Sequence, residues 1–476
     1  MNSSYANAVP ARNLAVKLGS LVGAYALRQR AWSTGFIKRA RKMDPATLVL
    51  TSLAAFAADK PWSETSIWDS YCQAMESAGR EGLNREVFHD NISKPSFATM
   101  CRELHSAVSS AAGMGELDEG AELVRAVASK LPISDIVCVD GTEVRVAPSL
   151  RKTYKGKGET SGSVKIHSMH SLKSCSEIQC SIGAGTSCER TAMLGMDLKG
   201  LLVMADAGYF SAEVCQELDR RGAWYIIKVP DSTACRVIDF QKVGRSTRPS
   251  KIAHAREIMG ADALPDAKDL ISKNCSYDLI ASTAGGFEHR EAIVRRQDAS
   301  GKFGHGRFAT NIPSAILDAI QISDLYRARW QIELQFKCFK SFSSLKADRI
   351  TTGSIIEAFL DLARTAHALK LIIGQAAQQA SGAALSQQKV SDRCSSILED
   401  LLGMMVKGSS RLAGRIKRFL GGAAARLAKS TLSFSNRKRG KGLSCLIESV
   451  SRRSRTALVH IARPSQEQPA ASPATA

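Results

Sequence analysis

The chain has 476 residues, with 65 Lys and Arg against 45 Asp and Glu, and a formal charge of +20 at pH 7. Hydrophobic residues make up 44% and charged residues 23%, a globular composition that excludes a wholly disordered chain; the length allows about three domains. No apolar run reaches the roughly 18 residues of a membrane span, and the opening MNSSYANAVPARN lacks the order of a secretory signal, so the expectation is a soluble intracellular protein.

From residue 13 to about 128 apolar residues recur at spacings of three and four, which predicts helices, punctuated by Pro45, Pro61 and Pro95. Residues 63–108 read as several short helices; a helix-turn-helix DNA module and a plain helical scaffold fit that pattern equally. The character changes at Pro132. Residues 135–146 (DIVCVDGTEVRV) read as a strand, followed by strands at 164–172 and 177–182 and a helix near 189–198. The run LLVMA (201–205) ends at Asp206, an amphipathic helix follows at 212–221, and WYIIKV (224–229) returns as a strand. Strand, helix and parallel strand in succession make an α/β core. Short strand patterns at 236–241, 277–282 and 289–296 mark a β-rich insertion over 230–305, after which 307–312 resumes the core. Helices are predicted at 323–342 and 354–379, and PSQEQPAASPATA reads as a disordered tail.

Charge is concentrated at two places. Residues 401–464 carry 15 Lys and Arg against the single acid Glu448, and Lys38, Arg39, Arg41 and Lys42 cluster near the N-terminus. Fields of this kind attract polyanions, nucleic acid first among them. Twelve cysteines scattered without a C-x-x-C pair read as reduced, mostly buried thiols, and no Cys/His cluster has zinc spacing. Gly156, Gly158 and Gly162 are not followed by G-K-[ST], so no phosphate-binding loop for nucleotide hydrolysis is implied.

Three acids stand where a site would want them. Asp140 interrupts an apolar strand just before Gly141, and Asp206 ends one just before Ala207-Gly208, positions that suit either a ligand at the strand ends or a turn cap. The third, Glu333, comes with company. On an α-helix, Tyr326, Arg329, Glu333, Lys337 and Lys340 share one arc of about 80°, while Leu325, Ile332, Phe336 and Phe339 line a neighbouring one. That stripe is either functional or a solvated face of i,i+4 ion pairs.

The segment from Tyr326 to Lys340 (YRARWQIELQFKCFK) carries a Y-x2-R-x3-E-x6-K spacing, and it resembles the signature of bacterial insertion-sequence transposases of the DDE class. Asp140 in V-D-G-T and Asp206 in A-D-A-G-Y-F stand as that family has its upstream acids. The resemblance covers roughly residues 133–349, and more weakly 35–42. It implies an α/β fold whose ribonuclease H-like core (129–229 and 306–352) is interrupted by the β-rich insertion (230–305). A helical DNA-binding region (1–128) would precede the core; a helical basic region (353–463) and the disordered tail (464–476) would follow. It further implies that Asp140, Asp206 and Glu333 form a catalytic triad holding two Mg²⁺, with Mn²⁺ as a substitute. Tyr326, Arg329, Lys337 and Lys340 would contact DNA. The implied function is Mg²⁺-dependent cleavage of double-stranded DNA at an element's ends and strand transfer to a target, by a homodimer in the cytoplasm beside the nucleoid. A catalytically inactive relic and a stand-alone nuclease of the same fold are the alternatives. Relatives that excise through a hairpin stack an aromatic residue of the insertion on a flipped base. No Trp lies in 230–305, so Tyr277 or Phe287 would serve, or another excision route applies. Trp330 reads as a helix-packing residue, and Lys155, Lys157, Lys165 and His167 as charges along the DNA.

Overall fold

The computed structural model describes residues 8–39, 42–58, 63–116, 118–158, 161–243, 266–270, 276–297, 301, 303–343, 349–382, 385, 387–422 and 443–452. Seven helices come first: α1 (Ala8–Val22), α2 (Ala24–Ser33), α3 (Pro45–Ala57), α4 (Glu64–Ser77), α5 (Arg85–Ile92), α6 (Pro95–Gly113) and α7 (Asp118–Ala128). Their starts are chemically marked. Asp44 caps α3 through Thr47 N with Pro45 in the first turn, and Ser63 and Ser66 close a capping box on α4. Strands β1 (Asp135–Val146), β2 (Gly162–Ser171) and β3 (Glu177–Ala184) follow. Then come α8 (Glu189–Leu194), β4 (Leu201–Ala205), α9 (Ala212–Arg220) and β5 (Trp224–Lys228). Strands β6 (Cys235–Val243), β7 (Ser276–Thr283), β8 (Glu288–Gln297) and β9 (Phe303–Thr310) lead to α10 (Ala319–Tyr326) and α11 (Trp330–Ser343). The chain continues as α12 (Gly353–Ser381), α13 (Gln387–Val406), α14 (Leu412–Gly421) and α15 (Leu443–Ser451). The result is a mixed α/β protein.

All nine strands form one sheet in the order β3-β2-β1-β4-β5-β9-β8-β7-β6. β1 pairs antiparallel with β2 and parallel with β4, and β4 pairs parallel with β5; the remaining pairs are antiparallel. The strands expected as an insertion therefore continue the sheet of β1–β5 through β9, with a small apolar cluster of their own around Val237, Tyr277, Leu279 and Ile293.

Strand alternation sorts the core into two faces. Ile136 and Cys138 of β1, with Leu202 and Met204 of β4, pack beneath α7, α10, α11 and α15. Val137, Val139, Val203 and Ala205 face the other way, onto Met193 of α8 and Val214 and Leu218 of α9. A third and larger cluster belongs to the helices. α1–α6 share it with α12–α14, and Val146, Val164 and Ile166 attach it to the sheet. α12 runs 29 residues, nearly all of them buried from Ile355 to Gln378, as expected of a helix surrounded on every side. Among the described residues no helix is long and apolar enough to cross a membrane. The tail 464–476 and, of the basic stretch 401–464, residues 423–442 and 453–464 lie outside the described residues, as does Arg41. The ten cysteines described are free thiols, six of them buried.

Candidate active site

The same alternation that builds the core aims the acids. Asp140 follows Ile136 and Cys138 in step of two, and Asp206 follows Leu202 and Met204, so both carboxylates emerge on the face covered by α10 and α11. The parallel register Val139↔Ala205 is the last pair before them, which sets the two acids side by side where β1 and β4 part: Asp206 just past the end of β4, Asp140 within β1, which runs on to Val146 against β2. Glu333 comes to the same place from the first turn of α11.

Arg329 joins the acids. Its Nη1 lies 3.4 Å from Asp140 Oδ2 and its Nη2 2.5 Å from Glu333 Oε1, with the Arg329 side chain 13% exposed. Burial works against the guanidinium charge, but Tyr326, Asp140, Asp206 and Glu333 outweigh it and hold the Arg329 pKa above its ordinary value. Burial, with help from Glu189 and Asp206, pushes the Asp140 carboxyl up despite the Gly141 N–H and Arg329. The Tyr326 hydroxyl donates to Ala205 O at 3.3 Å and Asp206 Oδ1 at 3.4 Å, while its ring packs 4.7 Å from Phe308. Burial drives the Tyr326 phenol well above its usual range.

The structure thus brings together five of the seven residues singled out by sequence only as far as they can be seen: Asp140, Asp206, Tyr326, Arg329 and Glu333. Lys337 and Lys340 continue α11, with side chains outside the described residues. The helix expected over 323–342 is not continuous. A 3₁₀ turn at Arg327–Arg329 separates α10 from α11. In 3₁₀ geometry side chains three apart eclipse, which brings Arg329 over the Tyr326 ring at 5.8 Å. The turn also rotates Trp330 outward, 53% exposed, so it is not the packing residue expected; Ile332 takes the core position. Lys165 and His167 depart from expectation as well. Both are buried, Lys165 on Glu189 at 3.0 Å and His167 on Ser187 Oγ at 2.8 Å, because β2 lies inside the sheet between β1 and β3. Lys155 and Lys157 are exposed. Tyr277 is buried in the core of β6–β8, and Phe287 stacks on His289 with ring centres 5.5 Å apart.

Among the described residues, Cys235, His289 and Glu291, all buried, form the one group of three whose ligand atoms lie within 4.8 Å of one another; the acids around Arg329 are spread wider. Arg307 occupies both Glu291 oxygens, at 2.6 and 3.2 Å, and supplies the counter-charge a cation would otherwise bring. The cluster is accounted for as a buried ion pair.

Asp140 within β1, Asp206 just past β4 and Glu333 of α11 lie around Arg329 on one face of an α/β sheet, a set of carboxylates of the chemical kind that suits divalent cations. The family described as the transposase DDE domain matches residues 132–369, half of the chain, and the protein belongs to that family. It is similar to the transposase for insertion sequence element IS231D of Bacillus thuringiensis subsp. finitimus, 26% identical over 47% of this chain and 54% of that one. It is also similar to the transposase for insertion sequence element IS231C of Bacillus thuringiensis subsp. berliner, 22% identical over 70% of this chain and 76% of that one. The chain spans about half the length of the IS231D relative it matches. Among solved structures, a piggyBac transposase synaptic complex with hairpin DNA aligns over 88% of this chain and 86% of that one. The TM-score is 0.38 at 11% identity, a likeness too loose to inform the site.

Proposed function

We propose that the protein is an insertion-sequence transposase that binds terminal inverted repeats, cleaves the 3′ strands by metal-dependent hydrolysis and joins them to target DNA. The observation that carries this reading is the convergence of Asp140 and Glu333 on Arg329, with Asp206 in the same field, where β1 and β4 part. Family membership supports it. So does the order β3-β2-β1-β4-β5, antiparallel across β1–β3 and parallel from β1 to β5, which we read as a ribonuclease H-like core.

The donor set suits a hard divalent cation: carboxylate oxygens, part-exposed at 24% for Asp140 and 33% for Glu333. Asp140, Asp206 and Glu333 would hold two Mg²⁺, or Mn²⁺ in its place, which supply activation of the attacking oxygen and stabilisation of the leaving 3′ oxygen. The protein's own groups do the rest. Arg329 neutralises Asp140 and Glu333 in the DNA-free chain; turning its fork to a DNA phosphate frees both carboxylates, so DNA arrival and cation binding are coupled. Tyr326 orients Asp206 through its hydroxyl. On the family spacing, Lys337 and Lys340 would contact the DNA backbone. Hydrolysis exchanges one P–O bond for another and releases a 3′ hydroxyl. In joining, that hydroxyl attacks a target phosphodiester whose own 3′ oxygen leaves, again one bond for one.

Double-stranded DNA is the proposed partner. A cleft of about 1230 Å³ among α2–α6, lined by Lys38, Arg39, Lys42, Lys94, Asn84 and Asn91, offers a basic surface for it, and α14 another at Arg415, Lys417 and Arg418. Synapsis of two ends calls for a homodimer. The test is cleavage and joining by purified protein with Mg²⁺ and DNA carrying the sequences that flank its gene. Wild type should give end-specific nicks and joined products, while Asp140→Asn and Glu333→Gln bind the same DNA without cutting. Wild-type binding without cutting would indicate the inactive relic, and cutting without joining the nuclease.

A further inference from the structure

A fourth carboxylate stands beside the triad, and neither the family signature nor the sequence pattern points to it. Glu189 opens α8, and its side chain is 33% exposed. Its position is fixed from three directions. Lys165 of β2, only 8% exposed, donates Nζ to Oε1 at 3.0 Å. A Cβ placed on Gly141 would meet Oε1 at 3.3 Å, and one on Gly208 would meet Oε2 at 3.4 Å. Gly141 directly follows Asp140, and Gly208 lies two residues after Asp206. The Glu189 carboxylate therefore lies between Gly141 in the middle of β1 and Gly208 in the turn after β4, and the two glycines leave the room it occupies. Because Gly141 points opposite to Asp140 along β1, Glu189 approaches from the α8–α9 face, whereas Glu333 approaches from the α10–α11 face.

Two buried polar atoms here have no protein partner. The Tyr209 hydroxyl has no hydrogen-bond partner; its residue is 1% exposed and lies in the field of Glu189, Asp140 and Asp206. His167 Nδ1 is also unpartnered, in a residue 2% exposed, and sits 3.6 Å from the same Gly141 Cβ position that Glu189 crowds. Nε2 is engaged with Ser187 Oγ at 2.8 Å, which leaves Nδ1 as the ring nitrogen without a partner. A buried group left unmatched costs about 1–3 kcal/mol, so two beside these acids favour a polar occupant that can hydrogen-bond to both. Hydrated Mg²⁺ retains several waters, each a donor, and an acidic pocket is where it goes.

We propose that Glu189 is a fourth carboxylate of the divalent-cation site, bridging Asp140 and Asp206 from the face opposite Glu333 and held ready by Lys165. The inference rests on the metal-dependent reading above. Its test is binding, not turnover: the full-length, DNA-free protein is titrated with Mn²⁺, and free Mn²⁺ is followed by electron paramagnetic resonance. Glu189→Gln should weaken Mn²⁺ binding tenfold or more with the metal-free circular dichroism unchanged. Glu189→Asp, which keeps the charge and withdraws the oxygens by one methylene, should also weaken it; this second variant carries the test if the first misfolds. Asp140→Asn and Glu333→Gln serve as references. Wild-type affinity in both Glu189 variants, alongside losses in the references, overturns the role of Glu189 and leaves the triad intact. Wild-type affinity in all four variants overturns the metal reading itself.

Discussion

Replacing Glu177 by Gln tests how the helical body is fastened to the sheet. Glu177 opens β3, and its Oε1 receives two nitrogens of Arg364 from α12 and lies 2.9 Å from His105 Nε2 of α6; Ser168 Oγ donates to Oε2 at 2.7 Å. Glu177 is 13% exposed and Arg364 7%. Glutamine keeps the shape and removes the charge, leaving Arg364 with Asp361 alone, at 2.8 Å. Stripping one partner from a buried pair costs about 3–5 kcal/mol, and because Asp361 remains, we expect about 3 kcal/mol. Urea unfolding of wild type and variant at pH 7 measures it. The pH dependence supplies a second check. Burial favours the neutral acid, yet Arg364 and His105 overcome it and hold Glu177 far below the usual carboxylate range. A carboxyl with a depressed folded pKa stabilises above its unfolded value, about 4.3, and that contribution fades as pH falls towards the folded value. The gap between the two proteins should be full at pH 6–7 and narrow steadily below about pH 4.3. A gap under about 1 kcal/mol at pH 7, or one that stays constant down to pH 3, refutes the reasoning.

Arg329→Ala should leave Asp140 and Glu333 without their cation; electrophoretic mobility shifts should show weaker complexes with end DNA, and unchanged binding and joining would remove Arg329 from the phosphate role. Two glycine substitutions should differ in sign. A Cβ on Gly120 of α7 would stand 1.9 Å from the Leu172 carbonyl oxygen, so Gly120→Ala should destabilise by about 3 kcal/mol; at Gly403 of α13 a Cβ meets nothing within 4 Å, and the same change should stabilise by about 0.5–1 kcal/mol, both read by urea unfolding.

What the sequence made legible was local. The unbroken apolar runs before Asp140 and Asp206 (IVCV and LLVMA) announce two buried strands that each meet an acid, but a run apolar on both faces leaves open which face the acid takes, and only the fold shows that they share one. Three-and-four spacing announces α10, α11 and α12, but not the 3₁₀ turn between the first two, since Arg327 and Ala328 are as acceptable in one helical form as in the other. Long-range arrangement left no such trace. That β9 joins β5 to β8 and so makes one sheet of nine strands depends on pairing partners far apart in sequence. Glu189 escaped for the same reason: only folding brings a helix-opening glutamate, two residues past Ser187, between Gly141 and Gly208.

The sharing of one core by α1–α6 and α12–α14 has a consequence for synthesis. The first six helices are finished at Gly113, but α12, against which they bury their apolar faces, ends at Ser381. At roughly 5–20 residues per second, a ribosome takes about 13–54 s to cover that interval. For that time the nascent chain carries an amphipathic bundle lacking its central helix, open to chaperones and to neighbouring chains. A message broken before α12 would yield a protein with every acid of the triad and no means of closing the helical body that stands beside them.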